Sequence, residues 1–528
     1  MSAPPDVGSR MLLSFEGLEP PTWLVDWLAR SDLAGVSLFR GVNIESAAQT
    51  RDLTAALQAA RGDRPPLLVA TDQEGGQLRA AGPDTTPFPG NMALGAVGDA
   101  DLAREVAFAT GRELAALGIN VNYAPVCDVA SNPDNPSMGI RTFGSDPAGV
   151  AALAAAAAAG LAAGGIVAVA KHFPGKGEAH VDPHWELPRL DIDEAHLEAV
   201  EMPPFRAALA GGARILMVGH YDVAAITGAA GTPTSVSRET VAYARDHLDF
   251  DGVVLTDALN MHALGQGAAS VVESIAALAA GVDLLLCISD SAGHRAMHAG
   301  LARALDRGLV PPDGHRSSAG RVSHLRAGLG LAPQPDLDVV GCAEHAALAR
   351  TAAARAITLV RDGGLLPLRP RPDDTILAVM PQPEDLTPAD TSSLDPPLLA
   401  EVLRRHHPRV TEIVTAHAPT PGEIAMACDA ARSARYVVAG TIEASRNDAQ
   451  AALVRALLDV GGDVVVAALR TPYDLTAFPE ATTYACTYGI LEPSLAALAA
   501  ALFGEARFPG RLPAPIAGLH PAGFGLGR

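Results

Sequence analysis

Short apolar runs recur along the first part of the chain and alternate with longer segments of amphipathic spacing. Eight short runs are rich in apolar and strand-forming residues. They lie at residues 11–15, 36–39, 67–70, 119–124, 166–170, 214–219, 252–256 and 283–287. Segments between them, such as 99–118 and 270–281, have apolar residues three and four positions apart, which predicts helices. This alternation predicts a parallel (β/α)8 barrel, with a doubly wound sheet as the competing interpretation.

A second α/β pattern follows a stretch at 329–341 that is rich in Pro, Asp and Gly and has no periodicity. Its predicted strands lie at 375–380, 410–416, 436–440, 464–469 and 482–489. Helical segments such as 424–434 and 449–462 separate them. We therefore predict a catalytic barrel domain over residues 1–330, a linker over 331–345, and an α/β sandwich domain over 346–528.

Ionisable or amide side chains follow nearly every predicted barrel strand from the third to the seventh. They are Asp72, Asn122, Asp128, Lys171, His172, His220 and Asp257. Any one of them could cap a helix or bond a loop, but a whole ring of such residues is unusual. Barrel chemistry lies at the C-terminal ends of the strands, so this ring predicts an active site there.

The segment KHFPGKGEAHVDPHWELP (171–188) begins at the end of the fifth predicted strand and overhangs this site. Asp182 and His184 are two residues apart, so an extended backbone projects both to the same side. A carboxylate can hold an imidazole in one tautomer and stabilise its protonated form, which makes the pair a candidate general acid/base. A zinc pair of His180 and His184 would need a helix, and Pro183 argues against one. A solvated charged loop is the plainest alternative.

Asp257 follows a buried predicted strand, so it is expected deep in the barrel mouth. A deep carboxylate opposite a proton donor on a loop suits a retaining glycosidase. The carboxylate attacks the sugar carbon, the donor protonates the leaving oxygen, and water releases the sugar. A histidine as donor is unusual, but its ordinary pKa lies near neutrality, so it can both give and take a proton.

The composition excludes some classes of binding partner. The formal net charge of −20 argues against nucleic acid and against anionic membranes. The most apolar run, at 151–165, is alanine-rich and too short to span a bilayer.

The N-terminal residues lack a signal-peptide pattern, and the five scattered cysteines indicate reduced thiols, so a cytoplasmic location is expected. No metal or organic cofactor is expected, and the oligomeric state is not indicated.

Five segments, in order, resemble the signature segments of glycoside hydrolase family 3 β-N-acetylglucosaminidases. The segment at 171–184 is similar to that family's KHFPGHG…DSH. The others are TDQEGG (71–76), FPGNMALGA (88–96), the stretch 122–147, and DGVVLTDALNM (251–261). LLPL (365–368), LRTPYDL (469–475), the stretch 492–504 and PGRLP (509–513) are similar to the family's second domain, so the resemblance covers nearly the whole chain.

The resemblance implies a small-molecule carbohydrate substrate and a role for each matching residue. Asp257 matches the catalytic nucleophile, and His184 with Asp182 matches the acid/base dyad of the N-acetylglucosaminidase branch. The β-glucosidase branch usually takes a Glu from the second domain instead, so the dyad favours amino sugars. Four residues match positions that hold sugar hydroxyls, and two match residues that line the sugar pocket. The first group is Asp72, Arg141, Lys171 and His172, and the second is His220 and Met261.

The chain departs from the family pattern at several positions. Lys176 stands where the family has His, Glu178 where it usually has Asp, and Pro183 where it has Ser. Gln77 and Arg79 change the arginine spacing expected after EGG. None of these changes removes a catalytic group, but they leave the exact substrate open.

The expected function is a retaining, exo-acting β-N-acetylglucosaminidase that acts on muropeptide fragments during cell-wall recycling. A phosphorylase of the same family is one alternative, because a histidine would not repel phosphate as a glutamate would, and Lys176 could help to bind it. A β-glucosidase of the same family is a further alternative. A catalytically silent sugar-binding protein is another, although the presence of Asp257, Asp182 and His184 speaks against it. The role of the second domain is not indicated.

Overall fold

Eight parallel strands close into a barrel in this computed structural model, which describes residues 6–330 and 333–527. Each strand pairs with its neighbours in the chain, and the last pairs with the first through Met11↔Leu285 and Leu13↔Cys287. The strands are β1 Met11–Leu13, β2 Gly35–Ser37, β3 Leu68–Thr71, β4 Val121–Asn122, β5 Val167–Phe173, β6 Ile215–Val218, β7 Val253–Ala258 and β8 Leu284–Cys287. Each of the eight predicted runs overlaps one of these strands, so the barrel is confirmed and the doubly wound sheet is wrong.

Helices connect the strands and form the outer layer. Several begin at a side-chain cap: Asp99 and Asp146 each accept two backbone N–H groups, and Pro147 follows in the first turn. The longer helices are Thr22–Arg30, Ala47–Ala60, Asn91–Val97, Ala100–Ala116, Pro147–Ala163, Met202–Ala210, Arg238–His247, Ala269–Ala280, Ser291–Asp306 and Pro312–Ala327. None of the helices in the described ranges is long and apolar enough to cross a membrane.

Apolar side chains fill the inside of the barrel. Residues such as Leu68, Val169, Ile215 and Leu255 form one buried cluster at the barrel axis. Val322 and Leu325 of the helix Pro312–Ala327 belong to the same cluster. The barrel is therefore a packed core and not a pore, and its polar residues gather at the C-terminal ends of the strands.

The second domain is built on a six-stranded sheet with the order β9-β14-β13-β12-β10-β11. The strands are β9 Thr358–Arg361, β10 Ile376–Pro381, β11 Val410–Thr415, β12 Tyr436–Thr441, β13 Asp463–Ala468 and β14 Tyr484–Cys486. The helices are Ala343–Ala356, Leu399–Arg404, Pro421–Ala431, Asp448–Val460 and Glu492–Leu502. Alternate strand residues enter different apolar clusters, as Val437 and Val438 do, so both faces of the sheet are covered. This confirms the α/β sandwich.

One strand of this sheet was not predicted. β9 lies at the edge and pairs antiparallel with β14, whereas the other pairs are parallel. The predicted linker 331–345 also contains the start of the helix Ala343–Ala356, and residues 331–332 lie outside the described part. The domain boundaries themselves stay a prediction.

The two unexpected residues after EGG lie at the contact between the domains. Arg79 is in a short hairpin, Gln73–Gly75 with Leu78–Arg79, and its guanidinium pairs with Asp395 at 3.2 Å. The Gln77 carbonyl accepts hydrogen bonds from the backbone N–H and the hydroxyl of Thr391, at 2.8 and 3.0 Å. The Arg79 side chain and the Gln77 backbone therefore both attach the segment around Thr391 to the barrel.

Candidate active site

A buried cluster of alternating charges occupies one side of the barrel mouth. Lys171, at the C-terminal part of β5, places its ammonium 2.5 Å from both Asp72 and Glu74. Glu74 also accepts two hydrogen bonds from the Arg141 guanidinium, at 2.8 and 2.9 Å. Asp72 keeps about a fifth of its side chain exposed, whereas Glu74 is fully enclosed. Asp72 is therefore the member of this cluster that is open to a ligand, while Lys171 is buried against it and Glu74 holds the two cations.

Charge and burial set the protonation of this cluster. Burial raises the pKa of Glu74, but the charges of Arg141 and Lys171 outweigh it and lower that pKa to about 2. Burial raises the pKa of Asp72 despite the neighbouring Lys171. Burial alone would lower the pKa of Lys171, but the two carboxylates raise it. The ammonium is therefore held charged as a hydrogen-bond donor.

His172 connects this cluster to Asp128, which follows β4. Its Nδ1 lies 2.7 Å from Asp128 Oδ2, and its Nε2 lies 3.3 Å from Arg141 Nη2. A guanidinium only donates, so Nε2 accepts and Nδ1 carries the proton that it donates to Asp128. Burial and the nearby cations hold the pKa of His172 well below its usual range. Both ring nitrogens are therefore engaged by the protein, and His172 orients Arg141.

The loop after β5 is tightly packed at its glycines. A Cβ on Gly175, whose φ is +111°, would lie 2.0 Å from the Glu201 carboxylate. A Cβ on Gly177 would lie 1.8 Å from the Val129 carbonyl oxygen. Only glycine fits these close approaches, which carry the loop across the mouth. Asp128 Oδ1 accepts the backbone N–H of Lys176 between them, at 2.9 Å.

The Asp182–His184 pair is present in the predicted form. His184 Nδ1 lies 2.6 Å from Asp182 Oδ1, which also accepts the backbone N–H of His184 at 3.0 Å. Burial raises the pKa of Asp182, but the hydrogen bond from His184 and the charge of Lys176 lower it to about 2. Asp182 is thus ionised and favours a proton on Nδ1, which leaves Nε2 free for a ligand.

Asp257 lies near the end of β7, and only a small part of it is exposed. Its carboxylate accepts the N–H of Ala258 at 2.8 Å. The buried His220 donates from Nε2 to the Ala258 carbonyl at 3.0 Å and accepts the Ser235 hydroxyl at Nδ1, at 2.7 Å. Burial lowers the pKa of His220. His220 therefore fixes the backbone next to Asp257.

The loop that carries Asp182 and His184 is docked on the turn that follows Asp257. The N–H of His262 donates to the His184 carbonyl at 3.3 Å, and the N–H of Ala263 donates to the Pro183 carbonyl at 3.0 Å. Met261, which is mostly buried, begins this turn. Two predicted groups that are 73 positions apart in the sequence, His184 and Asp257, are thus carried by segments in direct contact.

Sequence reasoning missed Glu74 as a member of this site, whereas Lys176 is one of the departures named from the sequence. Glu74 stands in the quoted TDQEGG motif, two residues after Asp72, and that spacing was the available signal. Lys176 is buried, and within the described ranges its ammonium has no ion-pair partner. The residues between His180 and His184 do not form a helix. No group of three or more His, Cys, Asp or Glu side chains in the described residues is arranged to hold a metal ion.

The fold and the site together define a class of protein. A (β/α)8 barrel with a carboxylate at a strand end, a histidine bonded to an aspartate on a loop and a charged cluster beside them has the parts that a sugar-cleaving site needs. The profile of the glycosyl hydrolase family 3 N-terminal domain matches residues 13–325. The chain belongs to glycosyl hydrolase family 3.

Relatives with named activities support this membership. The chain is 34% identical to β-hexosaminidase A of Pseudoalteromonas piscicida over 380 residues, which are 66% of this chain and 63% of the relative. It is 35% identical to a β-N-acetylglucosaminidase/β-glucosidase of Cellulomonas fimi over 57% of this chain and 56% of that one. The chain thus matches less than two thirds of the length of these two relatives.

Solved structures match over the whole chain. A glycoside hydrolase family 3 β-N-acetylglucosaminidase from Paenibacillus sp. str. FPU-7 is 32% identical, with a TM-score of 0.91 over 98% of this chain and 99% of that one. A β-glucoside phosphorylase, 22% identical, has a TM-score of 0.82 over 98% of this chain and shares the fold.

Proposed function

We propose that this protein is a retaining, exo-acting β-N-acetylglucosaminidase. The observation that carries the proposal is the Asp182–His184 hydrogen bond of 2.6 Å, on a loop docked against the turn after Asp257. The names of the relatives from Pseudoalteromonas and Paenibacillus support an N-acetylated amino sugar as the substrate. We expect release of terminal N-acetylglucosamine, with muropeptide fragments as the natural source. A cytoplasmic location stays a prediction.

In this proposal each residue has a separate task. Asp72, Lys171 and Arg141 hold the hydroxyls of the terminal sugar, and Asp257 attacks its anomeric carbon. His184 donates the Nε2 proton to the leaving oxygen, and the ionised Asp182 stabilises the imidazolium before that transfer. His184 then takes a proton from the water that attacks the glycosyl-enzyme and releases the sugar from Asp257. His172, Glu74, His220 and Met261 shape and position this pocket.

Substitutions at the two reacting groups test the assignment. We expect Asp257→Ala to abolish turnover. We expect His184→Ala to lose about 10²- to 10⁴-fold on a methyl β-glycoside, because an alkoxide leaving group needs protonation. On the p-nitrophenyl glycoside the loss should be much smaller. His247→Ala, on the outer helix Arg238–His247, is the matched control. Equal losses of His184→Ala on both substrates would contradict the acid/base role.

The second candidate function is phosphorolysis, in which phosphate replaces water, and the environment of Lys176 is the observation that favours it. Its ammonium is buried without an ion-pair partner in the described residues, and it interacts electrostatically with Asp128, Asp182 and Asp257. Burial and the charge of Arg141 lower the pKa of Lys176. An anion bound beside this residue would therefore stabilise its charged ammonium. If phosphate replaces water, the product is the sugar 1-phosphate.

Product analysis separates the two functions. The p-nitrophenyl N-acetyl-β-glucosaminide and the matching β-glucoside are incubated with and without phosphate, and the released sugar is identified. Free N-acetylglucosamine at a phosphate-independent rate supports hydrolysis. Sugar 1-phosphate that is lost in Lys176→Met supports phosphorolysis, with Lys176→His, the residue of the resembled segment, as the comparison. A preference for the glucoside would contradict the N-acetylglucosaminidase assignment.

A further inference from the structure

A cavity of about 630 Å³ lies at the opposite end of the barrel from the candidate active site. Arg214 and Gly252, which immediately precede β6 and β7, line one side of it, and residues of the helix Pro312–Ala327 line the other. Asp257 lies near the C-terminal end of β7, whereas this cavity lies at the N-terminal ends of the same strands. Its size suits a small molecule, and its described lining includes none of the residues assigned to the active site.

One face of the helix Pro312–Ala327 is turned towards this cavity. Ser317, Gly320, Arg321 and His324 line it, and their spacing of three and four positions puts them on one side of the helix. Glycine inside a helix is destabilising relative to alanine. A Cβ on Gly320 would have no atom within 4 Å, so packing against the protein does not require glycine here. The missing side chain leaves room in the cavity at the cost of some helix stability.

Positive charge is in excess behind the helix wall. Asp283, which precedes β8 and is fully buried, accepts two hydrogen bonds from the Arg321 guanidinium, at 2.8 and 3.0 Å, and one from Arg245 at 2.6 Å. The Asp283 backbone carbonyl accepts a third guanidinium, that of Arg10, at 3.0 Å. Burial and, to a smaller extent, the charge of Arg321 outweigh the charge of Asp283 and lower the pKa of Arg10 to about 10. One carboxylate therefore faces three guanidiniums that repel one another.

Several polar groups on the cavity wall have no partner among the described residues. The Arg214 guanidinium, the His324 ring and the Ser317 hydroxyl form neither a hydrogen bond nor an ion pair within the described ranges. Arg321 donates from Nε and Nη2, which leaves its Nη1 for a ligand. Asp251 is the carboxylate that lines the cavity. Four arginines in and behind the wall thus stand against two carboxylates, on a chain whose formal net charge is −20.

This arrangement suits a phosphate group. A guanidinium presents its donors in a planar fork that matches phosphate oxygens, and the two lining arginines, Arg214 and Arg321, belong to opposite walls. A tetrahedral phosphate directs oxygens to both walls, whereas the two oxygens of a carboxylate lie on one side of its carbon. The Ser317 hydroxyl and the His324 ring can each donate a further hydrogen bond. The cavity is much larger than a phosphate ion, so it has room for the organic part of an ester.

We propose that this cavity binds a small phosphate monoester, with the phosphate between Arg214 and Arg321 and the organic part over Gly320. The site is separate from the proposed sugar-cleaving site, so it does not depend on the proposed function. A ligand in this position joins the N-terminal ends of β6 and β7 to the helix Pro312–Ala327. Because it binds the folded barrel and not the unfolded chain, it should raise the melting temperature.

Titration calorimetry with glycerol 3-phosphate tests this site, with inorganic phosphate and glycerol as the comparison ligands. Lys176→Met serves as the parent protein, because it removes the buried ammonium at the barrel mouth, which is the candidate phosphate site of the second function. We expect saturable binding of glycerol 3-phosphate, weaker binding of inorganic phosphate and no binding of glycerol. Arg214→Gln should weaken the binding of glycerol 3-phosphate about 10-fold, because it removes a charge-assisted hydrogen bond.

Gly320→Leu is the sharper variant, because it adds bulk without removing a charge. Leucine favours a helix and its Cβ meets no atom within 4 Å, so the melting temperature of the free protein should not fall. Binding of glycerol 3-phosphate should be lost, together with the rise in melting temperature that the ligand gives the parent. Gly314→Leu, on the same helix but outside the cavity lining, is the matched control and should bind as the parent does.

Three results would count against the site. Equal binding by Gly320→Leu and Gly314→Leu, or no saturable binding by the parent, would overturn the proposal. Inorganic phosphate that binds as tightly as glycerol 3-phosphate would overturn the assignment of an ester.

Discussion

Glu74→Gln removes the carboxylate that holds Lys171 and Arg141 together, so its effect can be worked out from the structure. The Glu74 carboxylate forms ion pairs with both Lys171 and Arg141, and its side chain is buried. Its pKa falls from 4.5 to about 2, and at about 1.36 kcal/mol per unit this corresponds to about 3 kcal/mol of stability. Because the folded pKa is depressed, this stability is present above pH 4.5 and is lost as the pH falls towards 2. Removing the charge should therefore destabilise the barrel by about that amount at pH 7.

Urea unfolding followed by tryptophan fluorescence measures this loss. All three tryptophans, Trp23, Trp27 and Trp185, precede residue 331, so the signal reports on the barrel part of the chain. We expect Glu74→Gln to lower the free energy of unfolding by about 3 kcal/mol at pH 7, with a smaller difference at pH 3.5. Glu105→Gln, at an exposed position, should change little at either pH. An unchanged stability at pH 7, or a loss that is equal at both pH values, would refute the electrostatic reasoning.

Two further predictions concern ionisable groups around the acid/base loop. In Asp182→Asn the imidazole loses the carboxylate that holds its Nδ1 proton, so kcat/KM on an alkyl glycoside should fall; an unchanged kcat/KM would contradict the dyad. Burial raises the pKa of Glu201 from 4.5 to about 7, so the folded protein keeps a proton that the unfolded chain releases, and stability falls as the pH rises through that window. Glu201→Gln should therefore raise Tm at pH 8 and have little effect at pH 4.5, and calorimetry showing no gain at pH 8 would refute this.

The barrel was predictable because its strands are buried on both faces. Continuous apolar runs such as 166–170 and 252–256 have no polar side to expose, and helices of regular period separate them. β9 was missed because it is an edge strand that pairs antiparallel with β14, and this partner lies more than a hundred residues away. Strand pairing over such a distance leaves no local periodic signal.

The site was predictable where its residues are close in sequence to a strand end. Asp182 and His184 are two residues apart, and Lys171 belongs to β5 itself. The role of Glu74 could not be predicted from the sequence, because it depends on Arg141, which lies 67 positions further along in the short 3-10 helix Gly139–Arg141. The cleft between the loop 171–188 and the second domain was also not predictable, because Thr387 and His417 line it only through the contact between the domains.

The central claim is that Asp257 forms a covalent bond with the sugar. A slow substrate, 5-fluoro-N-acetyl-β-glucosaminyl fluoride, should trap the glycosyl-enzyme, and peptide mass mapping can locate the added mass. We predict one sugar per chain on the peptide that contains Asp257, and no label in Asp257→Ala. A label on another carboxylate, or fluoride release by the intact protein without any labelled intermediate, would contradict the account.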